Sequence, residues 1–252
     1  MRQADRTASL WTLAVAIGLV PFFVRAEQGT VQPSKPKQTE HTFEAPDALK
    51  MTVRMIAPYA APADLQIVCV FRHNSSGDKY IEAFKDFDDK LLGLLSSLRN
   101  RGDFVGELGE TICFKTWPDS ITPKRVLIIG LGAEKDLSLD SLRLVGRVAV
   151  REAVRLRAAD VAFAPVIRDQ GNSTIDVGEG DRTFAEQFIS AYHTEKQLQA
   201  EGLAEPFTIR ECVIEAGPAY IDGAIEKVGK GVEAISADIR VRPRDPYRRN
   251  KK

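Results

Sequence analysis

The chain has 252 residues, and its 35 Lys+Arg balance 35 Asp+Glu, so the formal net charge is zero. This balance provides no general attraction to nucleic acid or to an anionic membrane, and we expect no nucleic-acid partner. With 44% hydrophobic and 28% charged residues, 18 Gly and 13 Pro, the composition excludes collagen-like, wholly disordered and multi-span membrane proteins. It predicts a globular fold.

The amino terminus has the layout of a secretory signal peptide. Two separated arginines, Arg2 and Arg6, precede an uncharged stretch at 10–24, and the tripeptide Val-Arg-Ala at 24–26 suits a signal peptidase. The uncharged stretch is shorter than the roughly 20 apolar residues that a membrane-spanning helix needs. We therefore predict cleavage after Ala26 and export to a periplasm or beyond the cell. A retained anchor is the alternative; after cleavage we expect no membrane attachment.

Four further segments follow the predicted signal peptide of residues 1–26. Residues 27–46 are mostly polar and contain three prolines, which predicts a flexible leader. Residues 47–216 are predicted to form the folded domain, and 217–239 a linker-type helix. Residues 240–252 carry mostly basic charge, which predicts a disordered basic tail.

Hydrophobic periodicity after the leader predicts alternating strands and helices. Met51, Val53 and Met55 alternate with polar residues, which is the two-residue period of a half-buried strand. Asp140 and Asp181 are candidate starting residues of two helices. The predicted strands are 51–55, 65–71, 111–116, 125–130, 161–166 and 207–214, and the predicted helices are 81–98, 140–156, 181–192 and 220–237. This alternation predicts an α/β or mixed α+β fold with helices on both faces of a sheet.

The cysteines and histidines do not suggest catalytic chemistry. Cys69, Cys113 and Cys212 each stand among apolar neighbours, which is typical of buried structural thiols; a disulfide between two of them is the alternative. The three histidines have no metal-ligand spacing. We predict no catalytic, cofactor-binding or metal-binding residues, and no cofactor.

Two glycines after a strand form a candidate ligand loop. The sequence at 127–132 reads Leu-Ile-Ile-Gly-Leu-Gly, so Gly130 and Gly132 directly follow a predicted strand, where backbone N–H groups can bind phosphate. Lys135 stands where a dinucleotide-binding fingerprint has its third glycine. The alternative is a tight turn at the strand exit that requires glycine dihedral angles.

A basic stripe is a candidate partner surface. Arg143, Arg147, Arg151 and Arg155 recur every four residues on one predicted helix. Four guanidinium groups in a row can bind an acidic protein surface, so a protein partner or a homo-oligomer is possible. The alternative is an ordinary solvated helix face.

Two segments carry a resemblance to a known family. Residues 102–111 read Gly-Asp-Phe-Val-Gly-Glu-Leu-Gly-Glu-Thr, and 124–132 read Lys-Arg-Val-Leu-Ile-Ile-Gly-Leu-Gly. In this order they resemble the amino-terminal domain of the leucyl aminopeptidase (cytosol aminopeptidase) family. The resemblance extends over roughly 50–240, and it implies a macro-domain-like α/β fold, a mixed sheet between two helical layers.

The same resemblance bears on function. The family's chemistry is two-metal hydrolysis in a second, carboxyl-terminal domain, whose Asn-Thr-Asp-Ala-Glu-Gly-Arg-Leu signature does not occur in this sequence. Residues 229–232 read Gly-Lys-Gly-Val, like the start of a family metal segment, but the metal-binding Asp does not follow. We therefore expect a stand-alone, non-catalytic binding or assembly module rather than an enzyme. The alternatives are a domain that binds a nucleotide or ADP-ribose-like ligand at Gly130 and Gly132, and an accessory subunit of a separate metalloaminopeptidase.

Overall fold

The computed structural model describes residues 39–243. The predicted signal peptide, most of the predicted leader and the end of the predicted tail lie outside the described residues. None of the helices within 39–243 combines the length and the hydropathy needed to cross a membrane.

The described chain forms seven strands and five α-helices, in the alternating order that the sequence predicts. The strands are β1 (Glu40–Glu44), β2 (Lys50–Arg54), β3 (Leu65–Val70), β4 (Thr111–Lys115), β5 (Arg125–Gly130), β6 (Asp160–Ala164) and β7 (Glu211–Glu215). The helices are α1 (Glu82–Lys90), α2 (Leu94–Asn100), α3 (Leu139–Arg155), α4 (Val177–Ala200) and α5 (Ile221–Val241). Short 3-10 turns occur at Pro46–Ala48, Glu134–Asp136 and Arg168–Gln170.

All seven strands belong to one mixed sheet with the order β1-β2-β7-β6-β3-β5-β4. The five inner strands from β2 to β5 run parallel, and the two edge strands β1 and β4 pair antiparallel with their neighbours. Because the inner strands are parallel, their carboxyl ends all meet at one edge of the sheet. The loops that leave this edge form the cavity described below.

Helices cover both faces of the sheet, as predicted. Along β3, Ile67 and Cys69 pack with α3, α4 and α5, whereas Val68 and Val70 pack with α1 and α2. Every residue of β3 is buried, as expected for a central strand between two helical layers. The predicted α/β fold with a mixed sheet in a three-layer sandwich is confirmed.

Two predicted boundaries are wrong. The predicted leader contains β1, an edge strand in which Phe43 alone is partly buried; it forms because its backbone pairs with β2. The predicted helix over 81–98 is two helices, because Gly93 adopts a left-handed φ of 70° between α1 and α2. The Asp88 carboxylate then accepts a hydrogen bond from the Leu95 N–H of α2 (2.9 Å). Both helices face the same core, so their apolar pattern continues across the break.

Two predicted helix starts are also wrong. Ser138, not Asp140, is the N-cap of α3. The N-cap of α4 is Asp176, whose carboxylate accepts a hydrogen bond from Glu179 N (3.0 Å), and Asp181 lies inside the helix. Aspartate is common at helix starts because its side chain satisfies free N–H groups, but residue type alone does not distinguish Asp176 from Asp181.

The predicted linker-type helix is α5. It packs along α4 and against β1 and β2, and it contributes buried side chains to the core, so it is an integral part of the domain. It also continues to Val241, two residues into the predicted tail.

Gly146 in α3 and Gly223 in α5 test the close packing of the helical layer. A methyl group at Gly146 would lie 2.9 Å from Phe184 O of α4, whereas one at Gly223 would meet no atom within 4 Å. Gly146→Ala should lower the free energy of unfolding by about 1–3 kcal/mol, because overpacking outweighs the gain in helix propensity. Gly223→Ala should raise it by about 0.5 kcal/mol. Urea unfolding measures both, and equal stabilisation by the two changes would contradict this packing.

Candidate binding cleft

The backbone of the predicted ligand loop is already occupied. Gly130 N donates to Glu110 O (2.8 Å), and Gly132 N donates to Gly106 O (3.0 Å). A methyl group at Gly130 would lie 2.0 Å from Glu107 O, and Gly132 has a left-handed φ of 75°. Because these N–H groups bind the chain itself, they are not available to a phosphate. This geometry fits the tight-turn alternative, and the ligand loop at Gly130 and Gly132 stays a prediction.

The basic stripe lies on α3, and each of its guanidinium groups already has a partner within the domain. Arg143 pairs with Asp140 and Arg155 with Glu152 on the same helix. Arg147 Nε donates to Gln187 Oε1 of α4 (2.9 Å), and Arg151 Nε lies 3.9 Å from Glu195 Oε1 of α4. The stripe is well exposed, and its role as a partner surface stays a prediction.

The three cysteines are free thiols. Cys69 and Cys212 are completely buried, and burial raises the pKa of each thiol well above its usual range. Cys113 is half-buried, and burial raises its pKa as well. The interpretation as structural thiols is confirmed for Cys69 and Cys212.

A cavity of about 540 Å³ opens at the carboxyl ends of β2, β6 and β7. We call it the strand-end cleft. Such a position is where ligands bind in open α/β sheets, because loops leaving the strand ends diverge there. Its lining comes mainly from the segments 55–58, 163–169, 175–177, 180–181 and 215–218, with Glu82, Ala83, Leu142 and Tyr220.

Asp181 lines the strand-end cleft from the second turn of α4. It is 1% exposed, and neither carboxyl oxygen has a hydrogen-bond partner. Burial raises the pKa of Asp181 to about 8, and the nearby negative charge of Asp176 adds to the effect. An unpartnered carboxyl group at this depth is energetically costly in its ionised form.

Glu215, the last residue of β7, lines the same cleft. It is 7% exposed, and neither of its carboxyl oxygens makes a hydrogen bond of acceptable geometry. Burial raises the pKa of Glu215 to about 8, although the neighbouring Gln66 side chain opposes part of that rise. Glu215 lies on the opposite sheet face from Ile214, which packs with α3, α4 and α5. The cleft thus receives one carboxyl group from the α4 layer and another from the opposite face of the sheet.

Other charged groups of the cleft are already used by the fold. The Asp169 carboxylate accepts from Phe84 N at the start of α1 (3.0 Å), and Asp176 caps α4. Arg168 Nη2 donates to Ile175 O (3.0 Å). Among the described residues, Asp181 and Glu215 are therefore the carboxyl groups that are buried with both oxygens unpartnered.

One wall of the cleft holds a strained residue. Val166 has a φ of 45°, a left-handed conformation that β-branched residues rarely adopt. The buried Gln170 side chain supports it: Nε2 donates to Val166 O (3.2 Å) and Cys69 O (2.9 Å), and Oε1 accepts from Phe71 N (3.0 Å). Strain that the surrounding structure imposes in this way is concentrated at functional sites.

The sequence analysis did not identify Asp181 or Glu215 as site residues. The signal for Glu215 was a carboxyl group directly after the apolar stretch Cys-Val-Ile at 212–214. The signal for Asp181 was its spacing from Phe184 and Phe188, which places it near the buried face of the helix. Neither signal shows that the two groups line one cavity.

Residues 67–199, more than half of the chain, match the family described as cytosol aminopeptidase family, N-terminal domain. The chain belongs to this family. It is 27% identical over 147 residues to the probable cytosol aminopeptidase of Thermosynechococcus vestitus, covering 57% of this chain and 28% of the relative. It is 25% identical over 175 residues to the cytosol aminopeptidase of Pseudomonas aeruginosa, covering 69% of this chain and 34% of the relative. The chain thus spans about a quarter to a third of the length of these curated relatives.

Solved structures show the same fold. A mutant of tomato leucine aminopeptidase aligns with a TM-score of 0.54 at 17% identity, covering 74% of this chain and 36% of that protein. The Oceanobacillus iheyensis macrodomain with ADP aligns with a TM-score of 0.56 at 11% identity, covering 78% of this chain and 98% of that domain. These similarities confirm the predicted family resemblance and the macro-domain-like architecture.

The buried carboxyl groups predict an unusual dependence of stability on pH. The folded protein retains the Asp181 and Glu215 protons up to about pH 8, whereas the unfolded chain releases them near pH 4. Between these pH values the folded state binds more protons than the unfolded state does. The free energy of unfolding should therefore fall as the pH rises from about 4 to 8. Asp181→Asn removes one such group, so it should stabilise the protein by about 2–4 kcal/mol at pH 8 and much less at pH 4.5.

Chemical denaturation at several pH values measures this effect. Glu215→Gln should behave like Asp181→Asn, whereas Glu233→Gln, an exposed change on α5, should follow the wild-type profile. If the free energy of unfolding changed with pH in the same way for wild type and Asp181→Asn, the burial of an unpartnered carboxyl group would be contradicted.

Proposed function

We propose that this chain is a non-catalytic binding module of the cytosol aminopeptidase amino-terminal type, and that the strand-end cleft is its binding site. The family match supports the first part, since it is to the N-terminal domain. The observation that carries the second part is that Asp181 and Glu215 are buried in this cleft with all four carboxyl oxygens unpartnered.

The energetic cost of this arrangement supports a ligand site. Leaving a buried polar group unsatisfied costs about 1–3 kcal/mol, and more when the group is charged. Apolar side chains at both positions would avoid that cost. The strained Val166 on the same wall adds to it. Two such groups in the lining of one cavity give up stability at this place in an otherwise well-packed domain, which is typical of a functional site.

The nucleotide alternative has less support. A macrodomain of the same fold has been solved with ADP, but fold similarity at this identity does not transfer a ligand. The N–H groups of Gly130 and Gly132 are occupied by the backbone. The cleft is also lined by five carboxyl groups and a single guanidinium group, which is unfavourable for a pyrophosphate.

We propose that the protein is exported to a periplasm or beyond the cell, because residues 1–26 have the layout of a signal peptide.

We also propose a partner surface on α3, formed by Arg143, Arg147, Arg151 and Arg155. Its partner would be another protein, such as a separate metalloaminopeptidase, or a second copy of this chain.

A fragment screen by protein NMR tests the binding site. We expect some small fragments to shift the backbone resonances of the segment 163–169 and of Asp181 and Glu215. Ala83→Trp places an indole in the cleft, since Ala83 is half-buried in its lining, and should abolish these shifts. Ala234→Trp, on the exposed face of α5, is the matched control and should retain them. The proposed site is refuted if no fragment reaches the cleft or if Ala83→Trp binds fragments as the wild type does.

Hydrolysis of leucine p-nitroanilide with added Mn²⁺ tests the non-catalytic part. We expect no rate above that of buffer with Mn²⁺, because the family's two-metal chemistry requires several converging carboxylates and a lysine. Among residues 39–243, no three His, Cys, Asp or Glu side chains are grouped to hold a metal ion. Metal-dependent turnover that co-purifies with the chain would overturn the assignment.

A further inference from the structure

We propose that two copies of this chain pair through the free edge of β4. The two β4 strands run antiparallel and meet in register at Cys113, so that the sheets of both copies continue into one. This surface is separate from the strand-end cleft, which opens at the carboxyl ends of β2, β6 and β7. It therefore goes beyond the proposed function.

Hydrogen bonds at the two ends of β4 show which of its backbone groups the neighbouring strand β5 uses. Thr116 N donates to Lys124 O (3.2 Å), and Gly130 N donates to Glu110 O (2.8 Å). In the register of this antiparallel pair, both are directly opposite, hydrogen-bonded positions. Hydrogen-bonded and non-hydrogen-bonded positions alternate along antiparallel strands, so the even-numbered residues of β4 bond β5.

The odd-numbered residues of β4 form its free edge. Ile112 and Phe114 bond β5, whereas the N–H and C=O groups of Thr111, Cys113 and Lys115 point away from it. In the part of the chain that the structure describes, no strand lies beyond β4, and no turn or loop backbone bonds these three residues. Such a row of unpaired backbone groups is a template for another strand.

The opposite edge of the sheet is protected against pairing with itself. On β1, Ala45 N donates to Leu49 O (2.9 Å), so by the same alternation the even-numbered residues point outward. Antiparallel pairing of two copies about Thr42 would place Glu40 of one opposite Glu44 of the other. Like charges directly opposite each other destabilise a strand pair.

Pairing of β4 about Cys113 is self-complementary instead. A two-fold axis at this residue places Thr111 opposite Lys115 of the second copy, and Ile112 opposite Phe114 of the second copy. Ile112 and Phe114 are half-buried on the face that α1 and α2 cover, so the second copy extends their apolar packing. No like charges face each other in this register, which favours a second copy of the chain as the occupant of this edge.

Exposed apolar side chains flank the edge at both ends. Leu108, five residues before Cys113, is 50% exposed, and Trp117, four residues after it, is 47% exposed. Antiparallel pairing brings the Leu108 end of one copy to the Trp117 end of the other, so each can cover the other. Exposed aromatic residues are enriched at protein interfaces.

Hydrogen exchange followed by NMR at two protein concentrations tests the pairing. β4 has only five residues, so the interface is small and the dimer should be reversible. The N–H groups of Ile112 and Phe114 should be protected at every concentration. Those of Thr111, Cys113 and Lys115 should exchange freely at about 20 µM and at least about tenfold more slowly at about 500 µM, where sedimentation velocity should show a dimer.

Charge variants test the register. Thr111→Lys places like charges opposite each other twice in the dimer and should raise its dissociation constant about threefold to tenfold, whereas Thr111→Glu should lower it by a similar factor. Adding Lys115→Glu to Thr111→Lys should restore wild-type dimerisation. Thr111 and Lys115 are exposed, so urea unfolding should be unchanged, and Glu233→Lys on the exposed face of α5 is the matched control.

Four results would overturn the inference. The first is a chain that remains monomeric at about 500 µM. The second is a dimer in which the three outward N–H groups stay unprotected. The third is a dimer that Arg147→Glu disrupts and Thr111→Lys does not, which would place the second copy on the α3 stripe. The fourth is protection that does not depend on concentration, which would mean that the edge is covered within one chain. Fragment binding at the strand-end cleft is measured separately, so none of these results decides the proposed function.

Discussion

Two carboxyl groups buried without partners, Asp181 and Glu215, are the feature on which the interpretation of this protein depends. Their burial opposes ionisation, so it makes the fold less stable at neutral pH than a chain with isosteric amides would be. Both residues also line the strand-end cleft, whose other walls are largely apolar. Under the proposed function, stability and ligand binding place opposite demands on this part of the domain, as is common at functional sites.

The rest of the domain supplies the stability that such a site requires. β3 is buried along its whole length between the two helical layers, and the helices on both faces contribute large apolar side chains. The loops near the carboxyl edge are fixed by buried polar groups. Gln170 connects the segment 166–170 to the end of β3, and the buried Arg99 pairs with Asp78 and donates to Phe71 O (2.7 Å). The Gln170 side chain thus supports the cleft wall at Val166, and the Arg99 bonds fix the chain that follows β3.

Family membership and fold do not by themselves establish what this chain binds. Cytosol aminopeptidase N-terminal domains and macrodomains share this architecture, but a fold only decides where a site can form. Under the proposed function, the carboxyl edge of the parallel strands is that place, and its side chains decide the chemistry. The glycine turn at Gly130 and Gly132 makes close backbone contacts with residues 106–110, and acidic groups predominate among the charged residues of the cleft.

The sequence alone determined most of the architecture, because strand and helix periodicity are local properties. The apolar stretches at 65–71 and 125–130 and the helical spacing within 140–156 correspond to β3, β5 and α3, and the motifs at 102–132 identified the family. Tertiary structure decided what depends on distant pairing. The polar strand β1 forms only against β2, and Asp181 resembles a helix cap although it lies buried within α4. A local pattern cannot show whether a buried polar group has a partner, because that partner is supplied by residues far away in the chain.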